Sequence, residues 1–282
     1  MPRYFIEVSY KGTAYSGFQI QKNGFTIQEE IEKALHIFFR QSFSLTGSSR
    51  TDAGVHALQN YFHFDVPAPL PEGKTQSKAF YQLSDFEKEN SNANGQLLAS
   101  VYNLNAILPR DIVIKRMFEV SDNMHCRFDA ISREYKYYIY TIKDPFLQDT
   151  AFYYPYKLDL EKLNLAATLL PEYQDFTSFS KRNTQVKHFI CEIQKSEWII
   201  ENNVVVYQVK ANRFLRGMVK GLVGTMLKVG RGIISLEEFR GIIENRDCTK
   251  ADFSVPSKGL VLIKVNYEFN QEDLMIQPFI PL

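Results

Sequence analysis

Residues 47–57 read GSSRTDAGVHA and separate two stretches that are typical of β-strands, Phe43 to Thr46 and Asn60 to Val66. The two glycines of this loop permit backbone angles that other residues avoid, so the loop can hold Arg50 and Asp52 in a fixed pose. One interpretation is a hairpin turn in which Asp52 bonds to its own backbone and Arg50 is solvated. The other is a site that uses the aspartate chemically.

The composition bounds the class of protein. The chain has 282 residues, of which 45% are hydrophobic and 23% charged, which is typical of a soluble globular protein with one large or two ordinary domains. Its formal net charge is +1, so a nucleic-acid site would have to come from segregated charge. No apolar run approaches the roughly 20 residues of a membrane span, and we expect no leader and no membrane.

The cysteines and histidines predict no metal and no disulfide framework. Cys126, Cys191 and Cys248 are odd in number and far apart, and they lack metal-ligand spacing. This usage fits a reducing cytoplasm. His125 beside Cys126 suggests a ligand pair or a thiol nucleophile, but no partner stands at suitable spacing, so we expect neither.

Hydrophobic periodicity predicts the order β-α-β-β-α-β twice. The first series is strand Tyr4–Tyr10, a helix through Ile27 and Phe38, strands Phe43–Thr46 and Asn60–Val66, helix Leu97–Leu108 and strand Ile112–Val120. The second is strand Glu134–Ile142, helix Leu160–Leu170, strands Ile190–Ile200 and Val204–Ala211, helices Phe214–Val229 and Leu236–Glu244, and strand Leu260–Tyr267.

This order predicts an α+β fold of two ferredoxin-like halves, with mixed, largely antiparallel sheets flanked by helices. We expect one domain over residues 1–121, carrying the loop at 47–57, and a second over residues 122–282. The stretch Glu72–Gln96 is polar and is expected to form an irregular surface excursion.

The predicted helix Phe214–Val229 carries a one-signed charge pattern. Arg213, Arg216 and Lys220 stand at i, i+3 and i+7, which would line them along one helical face. Residues 202–236 contain six Lys or Arg and no Asp or Glu. A solvated helix face is the ordinary explanation, but such a face usually mixes signs, and a purely basic strip suits phosphates. Possible extensions of the strip are Lys181, Arg182, Lys187 and His188.

The predicted strand at residues 133–140 reads REYKYYIY. By alternation Tyr135 and Tyr137 share one face of the sheet. Tyrosine is a good strand residue, so ordinary packing explains the pattern. Beside a basic groove, a tyrosine can also stack on an extruded base or handle its proton.

These stretches together resemble the tRNA pseudouridine synthase A (TruA) family. The string RTDAGVH at 50–56 resembles the signature around that family's catalytic aspartate. Further segments resemble its other blocks over nearly the whole chain: YKGTAYSGFQ at 10–19, HCRFDA at 125–130, REYKYYIY at 133–140, ANRFLRGMVK at 211–220 and GLVL at 259–262. Lys220 stands where many members have arginine, so its contact with the aspartate would be a point contact.

Carried over by position, the resemblance implies that Asp52 is the catalytic aspartate, Arg50 helps to extrude the target base, and Lys220 is the basic partner of Asp52. Tyr135 would stack on the uracil and assist proton transfer. Residues predicted to bind the substrate are Thr51, His56, Arg127, Arg213, Phe214, Arg216 and Leu262, the last as a wall of the pocket.

The chemistry implied by the resemblance suits these residues. Turning uridine into pseudouridine breaks a C1′–N1 bond and makes a C1′–C5 bond, which needs a carboxylate and a group to move the C5 proton. No metal or cofactor is expected, and the sequence has neither a phosphate-binding P-loop nor a dinucleotide fingerprint. Whether Asp52 attacks the sugar or the base is open. The resemblance also implies tRNA, specifically uridines 38 to 40 of the anticodon stem-loop, and a homodimer.

The main alternative from another class is a non-catalytic RNA-binding protein of the same fold, which would need the basic strip but not Asp52. A methyltransferase would need a glycine-rich cofactor loop after a strand, and Gly230 and Gly232 lack those surroundings. A glycosidase would need two carboxylates at the cleaved bond, and only Asp52 has a suggestive setting.

Overall fold

The computed structural model describes residues 1–66, 93–182 and 186–268. They form a mixed α+β fold with largely antiparallel strand pairing. By contacts the chain divides into two compact units. Unit 1 comprises the described parts of residues 1–51, 57–130 and 267–282, and unit 2 comprises residues 52–56 and 131–266. The loop at 47–57 therefore contributes to both units.

Unit 1 pairs its strands in the order β4-β1-β3-β2, all antiparallel. Its elements are β1 (Arg3–Tyr10), α1 (Ile27–Phe39), β2 (Thr46–Gly47), β3 (His56–Asp65), α2 (Ala93–Ile107) and β4 (Ile112–Val120). The core of the unit is strongly aromatic: Phe5, Tyr61 and Phe62 are each fully buried.

Unit 2 pairs its main strands in the order β9-β5-β8-β7, all antiparallel, and β6 adds a short parallel pairing to β5. Its elements are β5 (Ser132–Tyr140), β6 (Phe152–Tyr153), α3 (Leu160–Leu169), β7 (Ile193–Glu201), β8 (Val204–Ala211), α4 (Met218–Gly230), α5 (Leu236–Glu244) and β9 (Leu260–Asn266). Trp198, Tyr207 and Phe239 are among its fully buried side chains.

Local signals explain where several elements begin and turn. The hydroxyl of Thr26 accepts the Glu29 N–H at 3.3 Å and caps α1. Ser235 and Glu238 form a capping box at the start of α5. Asn202 and Asn203 have φ of 49° and 65°, the left-handed geometry of a tight hairpin turn between β7 and β8.

The structure confirms the predicted α+β class and most predicted elements, with two corrections. The strand predicted at Phe43–Thr46 is wrong, because only Thr46 and Gly47 find partners on β3. The helix predicted to begin at Phe214 begins at Met218 instead, because Gly217 interrupts the chain with φ of 74°. Arg213 and Arg216 therefore precede the helix and do not share a helical face with Lys220.

The segment predicted to be irregular at residues 72–96 lies outside the described residues except for its last four positions, which belong to α2. Within the part of the chain that the structure describes, no helix is both long enough and apolar enough to cross a membrane.

Candidate active site

The unit 1 part of the loop at 47–57 is held by hydrogen bonds to buried groups. Phe18 N–H donates to the Thr51 carbonyl at 3.1 Å, and the hydroxyls of Thr51 and Tyr10 lie 2.8 Å apart. The amide of Asn60, itself fully buried, donates to the Ser49 carbonyl at 2.8 Å. Because each of these groups is buried, the loop has little freedom to change its path.

The unit 2 part of the loop carries the aspartate. Val55 N–H donates to the Asp52 carbonyl at 3.2 Å, and Gly54 adopts φ of 77°, which closes a tight turn directly after the aspartate. His56, 4% exposed, donates from Nε2 to the Lys258 carbonyl at 3.1 Å. The Asp52 side chain is half-buried. The turn therefore presents a carboxylate that is partly shielded but still accessible.

Tyr135 is the second member of the site. It lies on β5 opposite Leu262 of β9, is 9% exposed, and packs against Phe214 edge to face with ring centroids 5.0 Å apart. Burial raises its pKa to about 12; the charge of Arg133 opposes the rise and that of Asp52 adds to it. The phenol is therefore protonated at neutral pH and lies within electrostatic range of the aspartate.

Lys220 is the third member. It lies in the first turn of α4, half-buried, and its Nζ donates to Ser257 Oγ at 3.4 Å. Burial lowers its pKa, repulsion from Lys181 lowers it further, and attraction to Asp52 opposes both. In the described ranges no direct ion pair links Lys220 to Asp52. Lys220 thus interacts with Asp52 by longer-range electrostatic attraction and not through a salt bridge.

The basic loop before α4, residues 212–217, carries the other predicted cations of unit 2. Arg213 Nη1 donates to a ring nitrogen of His188 at 3.2 Å. Arg216 is exposed, and its carbonyl accepts the Lys181 N–H at 3.0 Å. Lys181 therefore does extend the basic region, although the cations are arranged along a loop and not along a helix.

Unit 2 brings together most of the predicted site: Asp52, His56, Tyr135, Arg213, Phe214, Arg216, Lys220 and Leu262. Arg50, Thr51 and Arg127 belong to unit 1, where Arg50 and Arg127 are exposed. Ser257, which contacts Lys220, was not predicted, because a lone serine in a loop carries no sequence signal.

Unit 1 also contains a histidine–cysteine cluster that the sequence did not predict. His63 Nδ1 lies 3.1 Å from Cys126 Sγ, and one nitrogen of His125 joins them within 4.8 Å. His63 Nδ1 also accepts the Cys126 N–H at 3.3 Å, and the thiol donates to the Thr46 carbonyl at 3.1 Å. His63, on β3, thus supplies the third potential ligand that the sequence analysis did not find for His125 and Cys126. These atoms could offer ligands to a metal, but they are already hydrogen-bonded within the protein.

A family model described as tRNA pseudouridine synthase matches residues 6–129 and 167–268 of the chain. The match spans both units and includes the loop with Asp52, the start of α4 and β9. It places the chain among the pseudouridine synthases, and the protein is therefore an isomerase.

Individual relatives narrow the family. A tRNA pseudouridine synthase A from Parabacteroides distasonis is 42% identical over 267 residues, covering 95% of this chain and 96% of that protein. One from Bacteroides fragilis is 43% identical over 267 residues, covering 94% and 96%. One from Staphylococcus saprophyticus is 34% identical over 279 residues, covering 98% and 94%. The chain belongs to the tRNA pseudouridine synthase A family.

Proposed function

We propose that the protein converts uridine to pseudouridine at positions 38 to 40 of the tRNA anticodon stem-loop, with Asp52 as the catalytic carboxylate. The observation that carries the proposal is the tight turn that presents the half-buried Asp52 carboxylate in the same compact unit as Tyr135 and Lys220. Curated relatives over nearly the full chain are named for this reaction on tRNA.

Asp52 acts at the glycosidic bond. The C1′–N1 bond breaks, the base turns, C1′ bonds to C5, and the C5 proton leaves while N1 gains one, so no electrons are transferred. A carboxylate can serve as nucleophile toward the sugar or the base, or stabilise a cationic sugar. Lys220 supplies a positive charge near the Asp52 carboxylate, where it can stabilise negative charge during the reaction.

The ring of Tyr135 stacks on the extruded uracil, with Phe214 behind it and Leu262 beside it. Because its pKa lies near 12, the phenol keeps its proton at neutral pH. It can therefore take up the C5 proton only while passing on its own, as a relay. Arg50 helps to extrude the base, which costs roughly a few kcal/mol of stacking.

Contacts between the protein and tRNA phosphates offset the cost of extruding the base from its stack. Thr51 and His56 complete the binding loop, and the cations that hold the backbone are Arg127, Arg213 and Arg216. Neutralised phosphates release counterions and favour binding.

The wider architecture is proposed on the same basis. We propose that the strands ordered β4-β1-β3-β2 and those ordered β9-β5-β8-β7 form two ferredoxin-like halves. The domains proposed for them are residues 1–121 and 122–282, although by contacts residues 52–56 group with unit 2 and residues 122–130 with unit 1. We propose a homodimer in which one subunit helps to hold the tRNA for the other, acting in the cytoplasm without metal or cofactor.

The test is tritium release from an unmodified tRNA transcript labelled at uridine C5, comparing wild type with Asp52→Asn. We expect release by wild type alone, while the tRNA affinity of the variant stays within a few fold. Parallel loss of binding and turnover in Asp52→Asn would sink the catalytic assignment. Tight binding without release by wild type would instead favour a non-catalytic RNA-binding protein.

A further inference from the structure

Unit 2 contains a recess that none of the proposed reacting groups occupies. It is an open recess of about 350 Å³ between the turn at Thr177–Phe179 and the segment after α5. This volume falls within the range of roughly 300–1,000 Å³ that is usual for small-molecule sites. The lining residues that matter for its chemistry are Lys181, Arg182, Phe189, Arg246, Asp247 and Cys248.

The recess has an excess of positive charge. Asp247, the one carboxylate among the described residues that line it, accepts the Thr249 N–H at 2.9 Å and the Thr249 hydroxyl at 2.8 Å. Arg246 pairs with Asp175 at 3.1 Å. Lys181 and Arg182 make no direct ion pair with any residue that the structure describes, although, after the hydrogen bonds from Thr249, the charge of Arg182 is one of those that lower the pKa of Asp247. Two cations are therefore left to meet an anion.

The recess also has an aromatic wall. The ring of Phe189 is half-buried, and its backbone carbonyl accepts the Phe176 N–H at 3.1 Å, which ties the segment down. An accessible aromatic ring beside cations is the combination by which proteins bind unpaired nucleotides, since the ring stacks on the base and the cations meet the phosphate. The chemistry of the recess is thus that of a single nucleotide.

The recess adjoins the proposed active site through Lys181. The Lys181 N–H donates to the Arg216 carbonyl, and the Lys181 side chain lies along Gly217, where an added Cβ would meet its Cγ at 3.0 Å. Its charge also repels that of Lys220. Lys181 therefore belongs to the recess and to the surroundings of the start of α4, so one RNA strand could reach both.

We propose that the recess binds one unpaired nucleotide of the RNA substrate, with its phosphate against Lys181 and Arg182 and its base against Phe189. This inference rests on the proposed function, since it takes the substrate to be an RNA. It adds a second point at which the protein holds the strand, separate from the nucleotide that reacts.

Cys248 offers a direct test, because it is half-buried in the recess whereas Cys126 and Cys191 are both 0% exposed. Alkylation by N-ethylmaleimide is followed by mass spectrometry of each cysteine peptide, with and without saturating unmodified tRNA. We expect tRNA to slow the modification of Cys248 by about tenfold or more, since thiol reactivity requires access. Lys162→Cys supplies a reference thiol, and its alkylation should not change.

The same alkylation experiment, repeated with uridine monophosphate in place of tRNA, separates the alternatives. An unchanged rate at Cys248 while tRNA binds and turns over would overturn the nucleotide site but leave the proposed function standing. Protection by uridine monophosphate and not by tRNA would also overturn it, in favour of a free mononucleotide. Protection by tRNA without tritium release would support the recess and count against the proposed function.

Substitutions at Phe189 test whether tRNA binds in the recess itself or only covers this part of the surface. Phe189→Leu should raise KM for tRNA by roughly 5- to 150-fold, the loss expected for one base–aromatic stack, with kcat nearly unchanged. Phe189→Tyr retains a ring and should restore KM. Equal KM for the leucine variant and wild type would overturn the assignment of the base to this ring, and Lys162→Gln should behave as wild type.

Discussion

Tyr135 on β5 faces Leu262 on β9 where the register between these antiparallel strands shifts, between Glu134 and Tyr135. Such an irregularity bends a strand locally and re-aims a side chain, and it is common beside active sites. Directly after the shift, the ring of Tyr135 packs against Phe214. We expect the ring of Tyr135 to contribute to tRNA affinity and its hydroxyl to contribute to kcat.

Tyr135→Phe tests the hydroxyl alone. We expect kcat to fall by roughly 100-fold or more, the usual effect of losing a proton-transfer group, while tRNA affinity is preserved by the ring. Tyr138→Phe, a half-buried neighbour on the same strand, is the matched control and should keep activity. Single-turnover kinetics and filter binding measure the two effects, and a fully active Tyr135→Phe would confine the residue to stacking.

Lys220 is expected to act by its charge. Lys220→Ala should lower kcat/KM on the order of 100-fold, because a preorganised charge near Asp52 is lost, whereas Lys220→Arg should keep most activity. Lys228→Ala, two turns along α4 and paired with Asp252 at 3.1 Å, should affect stability more than turnover. Equal losses in Lys220→Ala and Lys220→Arg would show that shape and not charge is needed.

Substitution of alanine at Gly224 and at Gly241 is expected to change the free energy of unfolding in opposite directions. An added Cβ at Gly224 of α4 would overlap the carbonyl oxygen of Asp252, whereas one at Gly241 of α5 meets nothing within 4 Å. Gly224→Ala should therefore destabilise by about 1–3 kcal/mol. Gly241→Ala should stabilise by about 0.5–1 kcal/mol through the lower entropy of the unfolded chain. Urea denaturation measures both, and a stabilising Gly224→Ala would mean that the helix can move away from Asp252.

Protonation of the buried His63 is expected to destabilise the fold in acid. Burial lowers its pKa from 6.5 to about 4, with repulsion from His125 contributing. The unfolded chain therefore binds this proton at higher pH than the folded protein does. Its contribution to stability is complete above about pH 6.5 and is lost as pH falls toward 4.

Thermal denaturation between pH 7 and pH 5 should show this loss. His63→Gln should reduce the slope of Tm against pH, even though it lowers Tm at pH 7 by removing a buried hydrogen bond. His36→Gln, at an exposed position of α1, should leave the slope unchanged. A His63→Gln slope equal to that of wild type would assign the acid sensitivity to other groups.

Elements with strong local signals were predictable from sequence alone. The bounds of β4, β8 and α5 are the same in the structure as in the prediction, since apolar periodicity marks these elements. The start of α4 was missed because Gly217 is held in a left-handed conformation beside Lys181, which comes from a distant segment. The strand predicted at Phe43–Thr46 overlaps the short β2 only at Thr46, because a strand exists only where it finds a partner.

The sequence by itself determined the α+β class, the family and the identity of the candidate residues, because these depend on local pattern and on motif. Only the tertiary structure decided how those residues combine. It set Asp52 in a turn within range of Tyr135 and Lys220, spread the basic residues along a loop, and joined His63 to Cys126. Each arrangement depends on strand register, burial or packing between segments far apart in the chain, and no local pattern encodes those.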